Sequence, residues 1–427
     1  MRNGKAIFFL QSHNEVDQIV PIIYGLARRG RVDIDIVLTG VESGDYRIDL
    51  IRDFDTVSIH GRDGATRANS HSPTLRERTN IALKQVGRKL PTRIPGGLYR
   101  RLASSSESVD YPAVLDSLTD GYENVVILVD WSKAKASSAI SEFAGREGYT
   151  TVVLPHGDSP FQNAARTERT FERLVESEDC FEDQHDLFEV VFSIYETMAD
   201  HDYMLMPNEL TARRITPFVD DAQVRVCGSP RYNPEWLAVL SGAEPGPGPD
   251  QSAALNLVLF TRRSTFFVSE QAVRDTIRLV TSFPDVHLVV KEHPRGGLLD
   301  EDSRFENIDN CEIVRDEMES ATLTAWGDAF LSLGTSITFE PVMNGKPVLA
   351  LEYAHGNYTT IAHYFSESDI RSRDDLYRAI HALRGDTETF YPAEEHRQFV
   401  DEMILAGTDS VLETYATFIE EQLGVES

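Results

Sequence analysis

The chain has 427 residues, which is too long for one ordinary hydrophobic core and suits two domains of about 200 residues each. Asp and Glu number 69 against 41 Lys and Arg, which gives a formal charge of -28, and only seven of the basic residues are Lys. This balance argues against a nucleic-acid partner bound through a basic face, since such faces need clustered Lys and Arg.

An acidic excess in which Arg is preferred to Lys is typical of proteins from a salt-loving organism with a salt-filled cytoplasm. At molar salt the Debye length is about 3 Å, so the self-repulsion of an acidic surface is screened. An acidic protein from an ordinary organism is the alternative. An anionic substrate is compatible with either origin, because a cleft can be locally basic on an acidic protein.

The three cysteines, Cys180, Cys227 and Cys311, are far apart and lack metal-ligand spacing, as expected of core residues in a reducing compartment. Neither half carries a GxGxxG motif, and no DxD-type carboxylate pair suits a divalent metal well, so we predict no bound cofactor and no metal. No apolar leader opens the chain and no stretch approaches 18 apolar residues, so we predict no membrane span. We expect a cytoplasmic protein, and peripheral contact with the inner face of the membrane stays open.

Short apolar runs alternate with longer amphipathic stretches, such as residues 16–29, through the first half of the chain. Runs of this length and composition predict parallel strands buried on both faces. Their alternation with helical patterns favours a doubly wound parallel sheet. The predicted strands cover residues 6–10, 34–38, 125–129, 151–154 and 224–227.

Residues 61–108 break this pattern, being polar and rich in Arg, and we interpret them as loops and helical excursions on the first domain. A helix over residues 76–88 would face a ligand or solvent, and solvent is favoured. The strongest boundary is GAEPGPGPD at residues 242–250, whose prolines and glycines exclude helix and central strand.

Strand and helix patterns resume after this boundary, with strands predicted at residues 255–260, 286–291, 329–333 and 348–351. The second half is therefore predicted to be a second Rossmann-like sheet. We divide the chain into a first domain over residues 1–241, a linker over 242–254 and a second domain over 255–407. Residues 408–427 are predicted to form a C-terminal helix that packs back on the first domain.

The sequence LPHGD at residues 154–158 places a histidine at the carboxyl end of a predicted strand, where open α/β sheets bind ligands. Imidazole has a pKa near neutrality and is the natural base for a hydroxyl nucleophile. Gly157 allows a tight turn and the close approach of a substrate. We predict that His156 is a catalytic base, although a structural histidine is the commoner case for a lone motif.

The sequence GSPRYN at residues 228–233 follows another apolar strand and precedes the linker. One interpretation is a helix-capping turn shaped by Pro and Asn. The other places Arg231 near a phosphate at the hinge, with Gly228 supporting the turn. The residues alone favour neither.

The sequence KEHPRGG at residues 291–297 groups cationic side chains and a glycine pair at the end of a buried strand. Anions are held by charge-assisted hydrogen bonds from such side chains and by the N–H groups of glycine turns. In a chain with seven lysines, one lysine beside His and Arg favours a phosphate site over a solvated strand end. The predicted ligands are Lys291, His293 and Arg295, with Pro294 shaping the turn.

The sequence GTS at residues 334–336 follows the strand predicted at 329–333. If this turn opens a helix, its hydroxyls and N–H groups at a positive dipole end form an anion site. A carboxylate one turn later can face the same ligand and suits a ribose diol or a base edge. The alternative is a plain N-cap followed by Glu. The predicted ligands are Thr335, Ser336 and Glu340, with Gly334 supporting the turn.

The four loops described above follow strands of both predicted sheets. In a two-Rossmann arrangement the carboxyl ends of both sheets face one cleft, so we expect the acceptor and the base on the first half and an activated donor on the second. The order of the motifs, HG at 156–157, GSPRYN, KEHP, TS at 335–336 and GKP at 345–347, is similar to the CDP-glycerol glycerophosphotransferase family. It also resembles capsular-polysaccharide transferases that use CMP- or CDP-activated donors. The resemblance covers roughly residues 151–353.

This resemblance implies a glycosyltransferase-B (GT-B) type α/β fold, two Rossmann-like doubly wound domains facing a central cleft. It implies that His156 is the base, that His293 and Pro294 hold the cytidine phosphate, and that Thr335 and Ser336 contact donor phosphate. The family usually has Trp where Pro155 stands and Asp where Glu340 stands.

We therefore predict a transferase that moves a glycosyl or polyol-phosphate group from a CDP-, CMP- or UDP-activated donor to a glycan or lipid-linked hydroxyl in surface glycan or glycolipid assembly. One alternative is a nucleotide-sugar 2-epimerase, which needs several acid/base carboxylates at the strand ends of the first half. Asp130 is one candidate, and no second is clearly placed. The other alternative is a non-catalytic partner in a glycan-assembly complex.

Overall fold

The computed structural model describes the chain apart from residues 62–108, residues 158–197 and several short stretches. The described residues are 4–41, 44–61, 109–130, 134–157, 198–216, 218–242, 248–249, 253–262, 268–293, 299, 305, 308–315, 318–356, 359–385 and 390–425. The helix predicted at 76–88, Cys180, Pro294, Arg295 and most of the predicted linker lie outside them.

The first half is built on a parallel sheet whose strand order among the described residues is β3-β2-β1-β4-β5-β6-β7. The central strands are continuous apolar runs because helices cover both of their faces. The strands are β1 Gly4–Leu10, β2 Asp33–Leu38, β3 Val57–His60, β4 Asn124–Asp130, β5 Thr150–Leu154, β6 Tyr203–Met206 and β7 Val224–Val226.

The helices of the first half follow the strands and end in recognisable caps. The longest, α1, begins after a Ser12 cap whose side chain accepts the Glu15 N–H, and it ends at Gly30 with φ 64°. A left-handed residue of this kind terminates a helix at no steric cost when it is glycine. The helices are α1 His13–Arg29, α2 Tyr46–Arg52, α3 Tyr111–Thr119, α4 Ala134–Glu147, α5 Glu209–Ile215 and α6 Pro234–Ser241.

The second half repeats the design with the strand order β10-β9-β8-β11-β12-β13, again parallel. Its strands are β8 Leu255–Phe260, β9 Val286–Lys291, β10 Cys311–Val314, β11 Ala329–Ser332, β12 Val348–Leu351 and β13 Asp369–Ile370. Its helices are α7 Glu270–Thr281, α8 Ser320–Trp326, α9 Phe339–Met343, α10 Thr360–Tyr364, α11 Arg373–Leu383 and α12 Ala393–Phe399. The predicted α/β class, two Rossmann-like parallel sheets with helices between the strands, is confirmed.

The chain passes between the halves twice, and both passages meet at Gly228. On the first passage Tyr232 packs in the core of the second half, while Trp236 packs in the core of the first. On the second passage the chain runs from a π-helical turn, Val400–Leu405, into the last helix, α13 Val411–Gln422, which lies on α1.

Gly228 has φ 90°, and a Cβ at this position would lie 2.6 Å from Val411 Cγ2 and 2.9 Å from the Ile404 carbonyl oxygen. The Ser229 N–H donates to the Ile404 carbonyl at 2.7 Å, and the Tyr415 hydroxyl donates to the Gly228 carbonyl at 3.1 Å. Glycine is therefore required here both by conformation and by space.

Candidate functional site

The carboxyl ends of β4 and β5 bring together an aspartate and the predicted base. Asp130, the last residue of β4, pairs in register with Leu154 of β5, two residues before His156. His156 Nδ1 lies 2.8 Å and 3.0 Å from the two carboxylate oxygens of Asp130. The Asp130 side chain is 1% exposed, whereas that of His156 is 31% exposed.

The chemistry of this pair follows from its geometry. A proton on Nδ1 shared with a buried carboxylate fixes the imidazole tautomer and makes Nε2 the basic nitrogen. The carboxylate also stabilises the imidazolium that forms when Nε2 takes a proton. The backbone carbonyl of His156 accepts a hydrogen bond from Asn14 Nδ2, which ties the base to the start of α1.

The amino end of α1 is already occupied by a carboxylate of the chain itself. Glu15 is 1% exposed, and its two oxygens accept the Gln11 N–H at 2.7 Å and the Ser12 hydroxyl at 3.0 Å. In Rossmann folds this helix end, directly after β1, is the usual position of a bound phosphate. A phosphate at this position would compete with Glu15 for these two donors, which disfavours phosphate binding at this helix end.

At the corresponding end of the second half, a buried arginine lies under the GTS turn. Arg262 follows β8, is 6% exposed, and donates from Nη1 to the Gly334 carbonyl at 2.8 Å. Burial lowers its pKa to about 10, so the guanidinium is charged at neutral pH. Gly334 takes φ 77°, and Thr335 caps the next turn without a side-chain cap bond. Arg262 is not among the predicted ligands, since its only signal in the sequence is its position just after a strand.

The helix predicted after this turn is short. Ser336–Thr338 form a 3₁₀ turn, and α9 has only five residues, with Pro341 inside it and Gly345, at φ 69°, two residues after its end. The macrodipole of so short a helix is weak. Any affinity of this turn for an anion therefore depends on the hydroxyls of Thr335 and Ser336 and on the charge of Arg262 beneath them.

Two of the predicted phosphate ligands, Lys291 and His293, lie at the end of β9 and have different contacts. Lys291 is 8% exposed, and its ammonium donates to the carbonyls of Arg315 and Met318, the latter at 2.6 Å. The Lys291 contacts thus differ from those expected and hold the segment after β10. The backbone N–H of His293 donates to Thr261 Oγ1 at 3.1 Å, which joins the ends of β8 and β9.

The GSPRYN turn caps a helix, as the first interpretation predicts, and its arginine pairs with a carboxylate of the first half. Asn233 caps α6 by accepting the Trp236 N–H at 3.0 Å. Arg231 pairs with Asp17 of α1, with Nη1 and Oδ2 3.1 Å apart. Asp17 also pairs with Arg47 of α2. Arg231 therefore links the hinge turn to the first half, next to the cleft.

Glu340 and the first half face each other across the cleft. Burial raises the pKa of Glu340 to about 7, while the charge of Arg231 lowers it and that of Asp17 raises it. Glu340 follows β11 and Asp17 follows β1, so the carboxyl edges of the two sheets face one cleft. The structure brings His156, Arg231 and Glu340 to this cleft, and Thr335 and Ser336 follow the same strand as Glu340. No group of three potential metal-ligating side chains is present in the part of the chain that is described.

The chain matches no protein family model, and no curated protein matches it in sequence. Solved structures match it over nearly their whole length. S. aureus MnaA in complex with UDP has a TM-score of 0.60 at 13% identity, covering 99% of this chain and 98% of that one.

A putative UDP-N-acetylglucosamine 2-epimerase from Listeria monocytogenes has a TM-score of 0.58 at 12% identity, covering 100% and 98% of the two chains. Phytolacca americana UGT2, complexed with UDP-2fluoro-glucose and pterostilbene, has a TM-score of 0.56 at 12% identity, covering 99% and 100%. These likenesses identify the fold as GT-B, with two Rossmann-like domains. No described helix is long and apolar enough to cross a membrane.

Proposed function

We propose that the protein is a transferase that moves a glycosyl or polyol-phosphate group from a nucleotide-activated donor to a hydroxyl acceptor in surface glycan or glycolipid assembly. The observation that carries the proposal is the buried Asp130 paired with His156 on one side of the cleft. A GTS turn above a buried Arg262 lies at the strand ends of the other half. A base and an anion site on separate halves suit a reaction between an acceptor and an anionic donor.

The donor is assigned to the second half because Glu15 fills the helix end that would hold phosphate in the first. The hydroxyls of Thr335 and Ser336, the imidazole of His293 and the charge of Arg262 would bind its phosphates. Glu340 would bind the ribose. Neighbouring structures were solved with UDP and a UDP-sugar, which makes UDP the first donor nucleotide to test, and the motif order makes CDP and CMP the next.

In the proposed reaction His156 Nε2 takes the proton of the acceptor hydroxyl as its oxygen attacks the anomeric carbon or phosphorus of the donor. The bond to the leaving nucleotide breaks, and the nucleotide departs with the electron pair. Cationic and hydroxyl groups at the second half stabilise the negative charge that develops on its phosphate. Asp130 stabilises the imidazolium formed on His156.

The test begins with thermal stabilisation of the protein by UDP, CDP, CMP and, as a control, adenosine diphosphate. We expect at least one pyrimidine nucleotide to raise the melting temperature, and no stabilisation by any of the three would overturn the proposal. His156→Ala should keep nucleotide binding and lose release of nucleotide from the activated donor. Loss of both together would mean that His156 is structural.

A nucleotide-sugar 2-epimerase is the second candidate, because three of the matching structures are described as UDP-N-acetylglucosamine 2-epimerases, one of them as putative. An epimerase removes and returns a proton on the sugar itself, so it needs no acceptor. Incubation of the protein with the UDP-sugar alone in deuterated water separates the two reactions. Deuterium in the recovered sugar nucleotide would favour the epimerase, and acceptor-dependent release of UDP would favour the transferase.

A further inference from the structure

Tyr46 is an unusual surface residue of the first half. It begins α2, after β2, and is 40% exposed. Within the described residues it and Tyr377 are the two large hydrophobic side chains classed as exposed. Exposure of an aromatic ring leaves unburied apolar area that a ligand or partner can cover.

Ion pairs connect Tyr46 to the cleft, because its chain neighbour Arg47 pairs with Asp17, which also lies 3.1 Å from Arg231 of the GSPRYN turn. Glu319 and Glu340 of the second half both act electrostatically on Tyr46, as do Asp17 and Arg47 of the first. Burial raises the pKa of Tyr46 to about 12. The hydroxyl is therefore neutral at physiological pH and can donate a hydrogen bond.

The ring of Tyr46 is also held in place. The Arg47 guanidinium lies 5.4 Å from the ring centroid. Arg47 itself is fixed by Asp45, 2.6 Å away, and by Asp17. A ring that is already oriented loses little conformational entropy when a ligand covers it.

We infer that Tyr46, on the first half, lines one side of the donor nucleotide site; this inference rests on the function proposed above. Its ring covers the ribose and base held at Glu340, and its hydroxyl donates to the ribose or to Glu340. Bases of any kind stack on aromatic side chains. The nucleotide is then bound by both halves, its phosphates by the second alone and its nucleoside by the two together.

The first experiment compares UDP binding by calorimetry for the unmodified protein, Tyr46→Ala and Tyr46→Phe. Tyr377→Ala is the matched control, since Tyr377 is 48% exposed on α11 of the second half. We expect Tyr46→Ala to weaken binding by about tenfold and Tyr46→Phe by about two- to fourfold. Tyr377→Ala should bind like the unmodified protein, and all variants should melt at the same temperature without nucleotide.

The second experiment reports proximity directly. Tyr46→Trp should change its fluorescence when UDP is added, and Tyr377→Trp should not. Unchanged UDP affinity in Tyr46→Ala, together with unchanged emission in Tyr46→Trp, would overturn this inference and leave the proposed function standing. If the unmodified protein binds no pyrimidine nucleotide, the proposed function fails and the inference fails with it.

Discussion

His156 and Asp130 come from neighbouring strands, and their contact depends on the register of β4 and β5. A residue pattern can predict that a histidine follows a strand, but it cannot predict which carboxylate lies beside that histidine in the folded protein. For this reason His156 was predicted as the base, whereas Asp130 was predicted only as a separate acid/base group of the epimerase alternative. The buried position of Asp130 makes it a positioning residue for His156.

Asp130→Asn tests this role at the level of one side chain. The amide oxygen can still accept a hydrogen bond from Nδ1, but the amide has no negative charge to stabilise the imidazolium. Its NH2 group can also donate to Nδ1, so the tautomer is no longer fixed. We expect kcat for nucleotide release to fall by about 10²- to 10⁴-fold, with nucleotide affinity unchanged. A parallel loss of nucleotide affinity would contradict the role.

Glu340→Gln tests the second buried carboxyl group. Its folded-state pKa, about 7, lies above the ordinary 4.5, so the native state loses stability as pH rises from about 4.5 to 7. The amide removes this loss. We expect the variant to be more stable than the unmodified protein by about 1–3 kcal/mol above pH 7 and equal to it near pH 4, measured by urea unfolding.

Glu394→Gln is the control for this measurement, because Glu394 is 83% exposed and should show no pH-dependent gain. The same Glu340→Gln variant should bind UDP more weakly, since it has lost its charge toward the ribose. Stability gained with affinity lost would identify Glu340 as a side chain kept for binding rather than for folding.

Lys291 and Arg262 show what residue types alone leave undetermined. Both follow the apolar core of a strand, yet the Lys291 ammonium holds two carbonyls after β10, whereas the Arg262 guanidinium lies under the GTS turn. The difference is set by which neighbouring strand each side chain meets. That information belongs to the strand order, which the sequence does not state.

Among the elements, the fully buried strands were the most predictable. The runs at residues 6–10, 125–129, 255–260 and 286–291 coincide with β1, β4, β8 and β9, which lie inside the sheets. The edge strands β3 and β10, which carry polar residues and are only partly buried, were not predicted. The interior strand β6 was not predicted either, although it is largely apolar, because it has only four residues, whereas the edge strand β7 was predicted. The continuous apolar signal is therefore clearest in the longer strands that are buried on both faces.

Gly228→Ala tests the point where the two passages between the halves meet. The new methyl group would clash with Val411 and with the Ile404 carbonyl, and the backbone φ of 90° disfavours any side chain. We expect a loss of roughly 2–4 kcal/mol in unfolding free energy. Gly407→Ala, where φ is 76° but no atom lies within 4 Å of the Cβ, should lose only about 1 kcal/mol.

At the scale of the whole molecule, the charge of -28 sets how stability depends on salt. Potassium chloride reduces the Debye length from about 10 Å at 0.1 M to about 3 Å at 1 M, which screens the self-repulsion of the folded state. We expect the melting temperature to rise by more than about 5 °C over this range and then to level off. A melting temperature independent of salt would count against adaptation to a salt-filled cytoplasm.

The return of α13 to the first half has a consequence for synthesis of the protein on the ribosome. Val411, Tyr415 and Ile419 complete a core whose other strands and helices end by residue 241. At about 5–20 residues per second, roughly 10–30 s separate the translation of these two parts. During that time the face of α1 that α13 covers stays exposed, and the first half finishes folding only after α13 has been made.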